Sequence, residues 1–420
     1  MSTPPLQHIV RVRTTSDLKF VRPGLMDEIL VNANQLENSV QSTATCLWMT
    51  TIPFAVDPVL WRFQVPAWWR RSDGNTKRNY AELGRAYTKG TDIRVASGPL
   101  ADVVPTDTDW TTLAANVITY EQARLLDVPA QLTAFDEAAP RELHPVRLIA
   151  PALVAYSPRE DRINRLLIEA SCAATGRPVA AQVIVPPERL VELQALDQLL
   201  STVPIDGVNS YFVWTPQITE ELLLAERAAF LGVLRLISNL AGRGVPVGHQ
   251  YGNYAIAALH DLGLAALTHH LGWVDHGEPA EQQEFMVRSC RTYLPAVRHS
   301  IPFNRAAAAG RSLNRDEYAA RYCECPFCIG AFDVGEHPLD LLLEDEPFVD
   351  KRGRSRLVPT SRAVGANTWH YLWSRQLEIA AFSSAPAVDV VRRDVERAAL
   401  LLGNSESQGL QRLAQGLLGA

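Results

Sequence analysis

Three cysteines within six residues, Cys323, Cys325 and Cys328 in the run RYCECPFCIG, are the residues of this chain best spaced for chemistry. Three thiolates on one short turn, stiffened by Pro326, converge on a soft cation, and a tetrahedral zinc site asks for one further nitrogen or sulfur ligand. Two histidines downstream qualify: His337 in GEHPLD, and His370 at the start of the helical run NTWHYLWSRQLE. With either histidine the set is a filled Cys3His shell without an open position, so the expected role of Zn2+ is structural. Cys46, Cys172 and Cys290 read as single buried thiols.

A second group is made of histidines. His249 in VPVGHQYGN, His269 and His270 in ALTHHLGW, and His276 beside Asp275 all fall near the ends of apolar runs. Imidazoles there can be metal ligands or general bases, which is the basis for a barrel metallohydrolase built on His249, His269 and His270. Loop histidines that hydrogen-bond each other and solvent explain the same pattern. A third feature is PAWWRRSDGNTKRNYAELGRAYTK, with six Lys/Arg against two acids beside Trp68, Trp69 and Tyr80. Basic charge interleaved with aromatic faces suits a nucleic-acid backbone and stacked bases, and a solvated loop with tryptophans tucked underneath suits the pattern equally. Between Glu336 and Arg362 a block of acids gives way to Lys351, Arg352, Arg354, Arg356 and Arg362, as in an exposed insertion.

The elements that must position these residues alternate in type. From about residue 90 to 300, short β-branched runs (GTDIRVASG, VPAQLTAFDE, VRLIAPALVAYS, PVAAQVIVPP, GVNSYFVWTP, VPVGHQYGN) are separated by helical stretches such as DRINRLLIEASCAATG. That is parallel α/β grammar. No GxGxxG succeeds a strand, so a dinucleotide fold loses its main support, and a (β/α)8 TIM-type barrel is expected, with function at the strands' C-terminal ends. The expected division is 1–85 as an N-terminal section in or on the barrel, 86–310 as the barrel, 311–385 as a zinc subdomain carrying the charged insertion, and 386–420 as C-terminal helices.

The resemblance implied by these features is to the tRNA-guanine transglycosylase superfamily, whose members insert 7-deazaguanine bases into tRNA and whose relatives act on DNA. C-x-C-x2-C close to a barrel's last strand, then an insertion, then a histidine opening a long helix, is similar to that superfamily's zinc subdomain. His370 and the YLWSRQLE run behind it match its zinc histidine and helix. The 41 residues between Cys328 and His370 exceed the family's interval, and the charged insertion accounts for the excess. Asp136, at the end of LLDVPAQLTAFDE, matches the aspartate that reads the purine's donor edge. Val185, Pro186 and Pro187 stand at the glutamine-glycine loop, and Trp214 stands where a glycine-rich strand end lets the base approach.

The family's exchange is a retaining glycosyl transfer, in which an ionised aspartate attacks the anomeric carbon. The resemblance puts Thr268 at that nucleophile and Ala96 at the second aspartate, so both carboxylates are replaced; His269, His270, Asp92 and Asp275 are the nearby candidates. The likeness as a whole implies a zinc-containing, transglycosylase-like protein acting on or binding a guanine-type base in tRNA or DNA. Asp136, Trp214 and His249 would contact the base, Trp214 or Tyr211 as a stacking shelf, and the basic stretches 68–89 and 351–362 would hold phosphates. The alternative is a non-catalytic subunit or binding module, working as a homodimer or as a heteromer with a catalytic partner.

Composition bounds all of this. The 420 residues are 47% hydrophobic and 8% aromatic, which excludes a disordered or fibrous chain and makes a disulfide scaffold unnecessary. Six cysteines are then thiols or ligands. No apolar run approaches the roughly 18 residues of a membrane span. MSTPPLQHIVRVRTTSD has no apolar core like a signal peptide's, so a cytoplasmic protein without a membrane partner is expected. The net charge of -6 weighs against a general nucleic-acid binder but leaves local basic stretches open.

Overall fold

The computed structural model describes residues 4–71, 73–93, 105–126, 128, 142–271, 290–349 and 353–418. Two compact units are present, one built on Gln7–His270 and one on the chain after residue 281. The first is an α/β barrel of the TIM type. Its strands are β1 (Gln7–Val12), β2 (Glu28–Asn32), β3 (Phe54–Asp57), β4 (Leu148–Ala150), β5 (Val179–Ile184), β6 (Val208–Trp214), β7 (Val247–His249) and β8 (Leu264–His270). They lie in the order β3-β2-β1-β8-β7-β6-β5-β4, and every neighbouring pair is parallel. Burial on both faces explains their short, dense apolar runs.

Alternation along the strands builds the interior in layers. Ile9, Leu30, Ala55, Ile149, Ala180, Phe212 and Ala266 form one buried apolar layer. Gly248 of β7 joins it because a Cβ there would meet the Phe212 ring at 2.9 Å. Two residues further along each strand, the same face carries Arg11, Asn32, Asp57, Gln182, Trp214 and Thr268, nearer the C-terminal ends.

The two outer strands, β3 and β4, nearly close the cylinder. Val146 N donates to Phe54 O at 2.8 Å across the gap. Where the ladder stops, Glu121 of the helix Asp107–Ala123 accepts from Ile149 N at 2.8 Å, so a side chain supplies the acceptor that a neighbouring strand would have offered.

The barrel therefore begins at Gln7, ahead of the expected residue 86: its first three strands come from the 1–85 section, which was expected in or on the barrel. Its last strand ends at His270, and residues 291–310, assigned to the barrel from sequence, form a hairpin and a helix of the second unit. The segments GTDIRVASG and VPAQLTAFDE fall largely in residues 94–104 and 129–141, outside the described residues, and Ala96, Asp136, Asp275 and His276 lie outside them too. Cys46, Cys172 and Cys290 are partly exposed, not buried.

The second unit carries the antiparallel hairpin β9 (Arg291–Leu294) and β10 (His299–Pro302), the hairpin β11 (Asp345–Val349) and β12 (Ser355–Pro359), and three long helices, Ser361–Ser384, Ala387–Leu402 and Asn404–Leu418. Arg298 ties it together. Its guanidinium, buried and flanked by a backbone of φ 61, donates to Glu378 at 2.9 Å and bidentately to Asp394. Among the described residues no helix is long and apolar enough to cross a membrane.

Glu121 gives the seam a pH signature. Burial, reinforced by nearby Asp57 and partly opposed by the Ile149 bond, lifts its carboxyl well above the ordinary 4.5. The folded chain then holds a proton that the unfolded chain releases, so the contribution is complete below that pH and declines as pH rises toward the folded-state value. Glu121→Gln keeps an acceptor for Ile149 and cannot ionise. Its urea midpoint should gain on that of the wild type between about pH 5 and about pH 8; parallel curves would refute a buried neutral carboxyl.

Candidate metal centre and barrel mouth

Local structure drives the cysteines together. A π-helical turn at Tyr318–Tyr322, closed by Cys323 N donating to Tyr318 O at 2.9 Å, delivers Cys323 in an extended conformation. Pro326 then starts the helix Pro326–Asp333, so that Cys325 precedes its first turn and Cys328 lies within it. His370 comes from the helix Ser361–Ser384, facing the same point. The stacked rings of Tyr318 and Tyr322, 4.5 Å between centroids, cover the turn. Gly310 is required beside them, because a Cβ there would lie 2.5 Å from the Tyr322 ring.

The ligand atoms of Cys323, Cys325, Cys328 and His370 all lie within 4.8 Å of one another, and all four residues are buried. His370 Nδ1 is 3.7 Å from Cys323 Sγ, 3.4 Å from Cys325 Sγ and 3.3 Å from Cys328 Sγ. A tetrahedral cation of zinc's size, about 2.3 Å from sulfur and about 2.05 Å from nitrogen, holds such atoms about 3.6 Å apart. The spacing fits. On its other side the ring donates from Nε2 to Tyr293 O at 2.8 Å, which fixes the tautomer and leaves the Nδ1 lone pair aimed at the sulfurs.

Charge points the same way. Burial pushes the Cys325 and Cys328 thiols up, and the Cys323 sulfur pushes them further. His370 is held well above the ordinary histidine range although burial opposes this, because the Cys323 and Cys325 sulfurs beside it prevail. Cys323 is held well below the ordinary thiol range, its burial overcome by the Cys325 and Cys328 groups and by His370 beside it. A divalent cation would let all three thiols ionise at once. His337 takes no part: its Nδ1 accepts from Leu339 N at 3.2 Å as the cap of the short helix Pro338–Leu342, and its ring packs against Tyr318 and Phe332.

The barrel mouth is organised by Arg11. Its guanidinium donates from Nη1 to Asp57 and, at 2.6 Å, to Asn32 Oδ1, and from Nη2 to Gln250 Oε1 at 2.8 Å. Asp57 also accepts from Gln182 Nε2 at 2.9 Å and from Val59 N at 3.0 Å. Both members of the Arg11–Asp57 pair are fully buried. Side chains from β1, β2, β3 and β5 and from the residue after β7 therefore form one network. Sequence reasoning missed it. The available signal was a polar residue at or next to the end of each early apolar run, QHIVRV, EILVN and FAVD, where a barrel's chemistry sits.

The described members of the predicted histidine group, His249, His269 and His270, do not assemble. Thr268 and His270 share the inner face of β8 with Ala266, whereas His269 faces out and its Nε2 lies 2.6 Å from that of His8. His249 is 3.4 Å from Thr215 Oγ1 and neutral, burial lowering it to about 4. His270 is also neutral, lowered well below its ordinary value by burial and then by Arg13, Arg11 and Arg62. Among the described residues the Cys3His set is the group able to hold a metal, so a catalytic metal on His249, His269 and His270 has no support.

The aromatic candidates are packed. Trp214 is 2% exposed, between Trp61 at 4.4 Å and Tyr251 at 5.1 Å between centroids. Tyr211 is buried, its hydroxyl donating to Pro204 O. Trp69 and Tyr80 of the basic stretch are buried as well, Tyr80 accepting from Arg62 at 2.7 Å, so these two aromatics are not open stacking shelves. Asp92 is exposed, its backbone N–H on Asp109. In the charged insertion β11 is exposed along its length, and Arg356 lies over the Phe348 ring at 5.7 Å.

No family model matches the chain, and no curated protein matches it. Solved structures that it resembles include xylanase B from Clostridium stercorarium, at 9% identity over 63% of this chain and 86% of that one with a TM-score of 0.30. An endo-beta-1,4-mannanase catalytic domain from Bacillus sp. is 12% identical over 66% and 79%, with a TM-score of 0.31. An HpcH/Hpal aldolase/citrate lyase family protein from Burkholderia cenocepacia is 14% identical over 64% and 88%, with a TM-score of 0.28. Likenesses at these scores carry no argument about chemistry.

The ligand assignment separates cleanly by mutation. Cys325→Ser and His370→Ala should each lower the metal content of the purified chain at least tenfold, with several kcal/mol of lost stability, since the metal's binding energy is folding energy. His337→Ala should leave metal content at the wild-type level. Mass-spectrometric metal analysis checks this; retention by Cys325→Ser or loss by His337→Ala contradicts the assignment.

Proposed function

We propose that this chain is a divergent barrel of the tRNA-guanine transglycosylase type. Cys323, Cys325, Cys328 and His370 hold a structural Zn2+, and the mouth binds a guanine-type base, guanine or 7-deazaguanine, of tRNA or DNA. The observation that carries the reading is the conjunction, in the order the resemblance implies, of an eight-stranded parallel barrel and, after it, a buried Cys3His pocket with tetrahedral spacing. Zinc is favoured among cations because three thiolates and one imidazole in a closed tetrahedron suit it best. Bound there, it supplies only rigidity.

The same reading limits the chemistry. Family-type exchange requires a free carboxylate nucleophile, and Thr268 occupies that place on the inner face of β8. A hydroxyl needs a base within hydrogen-bond reach, yet Thr268 Oγ1 has no such partner. Asp57 is the carboxylate of the described inner layer, and it is engaged by Arg11, Gln182 and Val59 N, which suits orienting neighbours and not attacking a sugar. The chain therefore binds and orients a base without an aspartyl-enzyme intermediate. Exchange, where it occurs, is supplied by a catalytic partner in a heteromer.

The test is direct. Purified chain is incubated with labelled guanine and either bulk tRNA or duplex DNA, and a parallel sample is titrated with 7-deazaguanine in a calorimeter. Saturable binding of the base is expected, with no label entering nucleic acid unless a co-purifying partner is added. Label incorporated by the isolated chain would overturn the non-catalytic reading, and absence of base binding would overturn the family assignment.

A further inference from the structure

The mouth contains an unusual set of polar atoms that are buried and have no partner: Arg11 Nε, Asn32 Nδ2, Trp214 Nε1 and Gln250 Nε2 are all donors. Native interiors leave few groups of this kind, and each one points to water, an ion or a ligand. Their orientation is not arbitrary. Arg11 holds Asn32 and Gln250 by their carbonyl oxygens, so both amide N–H2 groups must point away from it. Against these four donors stands one fixed acceptor, Gln182 Oε1, whose amide is oriented by its bond to Asp57. Thr268 and His270 add groups able to donate or accept.

Contacts converge on Tyr251. Its ring lies 4.6 Å from the Arg11 guanidinium carbon, 5.1 Å from the Trp214 ring and 4.8 Å from the His270 ring. Its backbone is left-handed, φ 56, a conformation that is strained for a non-glycine residue and clusters at binding sites. Charge adds a sign. Beyond its burial, Arg13, Arg11 and Arg62 all oppose protonation of His270, so three guanidinium groups are felt there.

We infer that the barrel mouth is an oxyanion site, in which Arg11 Nε, Asn32, Gln250 and Trp214 converge to donate hydrogen bonds to the carboxylate or phosphate oxygens of a ligand. Asp57 is a positioning residue for Arg11 and does not touch the anion. This goes beyond base binding and holds for a barrel of any chemistry. A nucleobase that fails to bind leaves it standing.

Sodium benzoate and inorganic phosphate are the probes, with benzylamine as the cationic control, each titrated calorimetrically into the full chain at low ionic strength. At least one anion should bind with a Kd of roughly millimolar or below, and benzylamine should not bind. Whichever anion binds more tightly tells carboxylate from phosphate. Gln250→Glu preserves the acceptor for Arg11 and turns the donor into a charged acceptor; it should weaken anion binding more than about tenfold. Trp214→Phe removes one N–H while keeping a ring and should weaken it about fivefold, which keeps the test open if Gln250→Glu fails to fold. No binding of either anion up to about 20 mM, or unchanged affinity in the folded variants, would overturn the site.

Discussion

Sulfur sealed from water is the constraint on which the C-terminal unit depends. Three thiols and an imidazole lie within 4.8 Å of one another with essentially no exposure, a place where ionised groups are tolerated only when an opposite charge is at hand. Around that point the chain spends its most specialised local features: a π-helical turn, a proline-started helix, a glycine that makes room for a tyrosine ring, and a carbonyl that fixes an imidazole tautomer. Tyr293 shows how far the constraint reaches. Its carbonyl accepts from His370, and its hydroxyl donates to Glu378, which also pairs with Arg298, so the ligand shell continues into the ionic network binding β9, β10 and the last helices.

The barrel has its own organising charge. A buried arginine with a single carboxylate partner is weak ground for stability in itself, because desolvation offsets most of the attraction. Its value lies in direction. Arg11 and Asp57 fix the amides of Asn32, Gln182 and Gln250, which then present their remaining atoms in known orientations. Such preorganisation is what a recognition site needs, and it lies in the layer where barrels of this class place their chemistry.

Legibility in sequence tracked the local density of signal. The strands from β4 to β7 were readable because apolar runs were bounded by turn residues and spaced by amphipathic helices, and the cysteine cluster was readable because three thiols sat within six residues. The first three strands were not. In β1, His8 and Arg11 interrupt the apolar run; β3 is only four residues long; and β2 and β3 end on the polar residue that faces the mouth, which makes a strand look like loop. His370 and His337 were indistinguishable by spacing, since only folding shows that one reaches the sulfurs and the other caps a helix. The histidine doublet misled for a simpler reason: neighbours on a strand point to opposite faces, so His269 and His270 cannot share a site.

Among the described residues, Cys323, Cys325, Cys328 and His370 are the group able to hold a metal ion. That they hold one is tested most directly by X-ray absorption spectroscopy at the zinc edge, on the chain as purified without added metal. The expected first shell is three sulfurs at about 2.3 Å and one nitrogen at about 2.05 Å, with the outer-shell signature of one imidazole. A shell of oxygen and nitrogen alone, a shell with two or more imidazoles, or no metal-edge signal in a folded, monodisperse sample would contradict it.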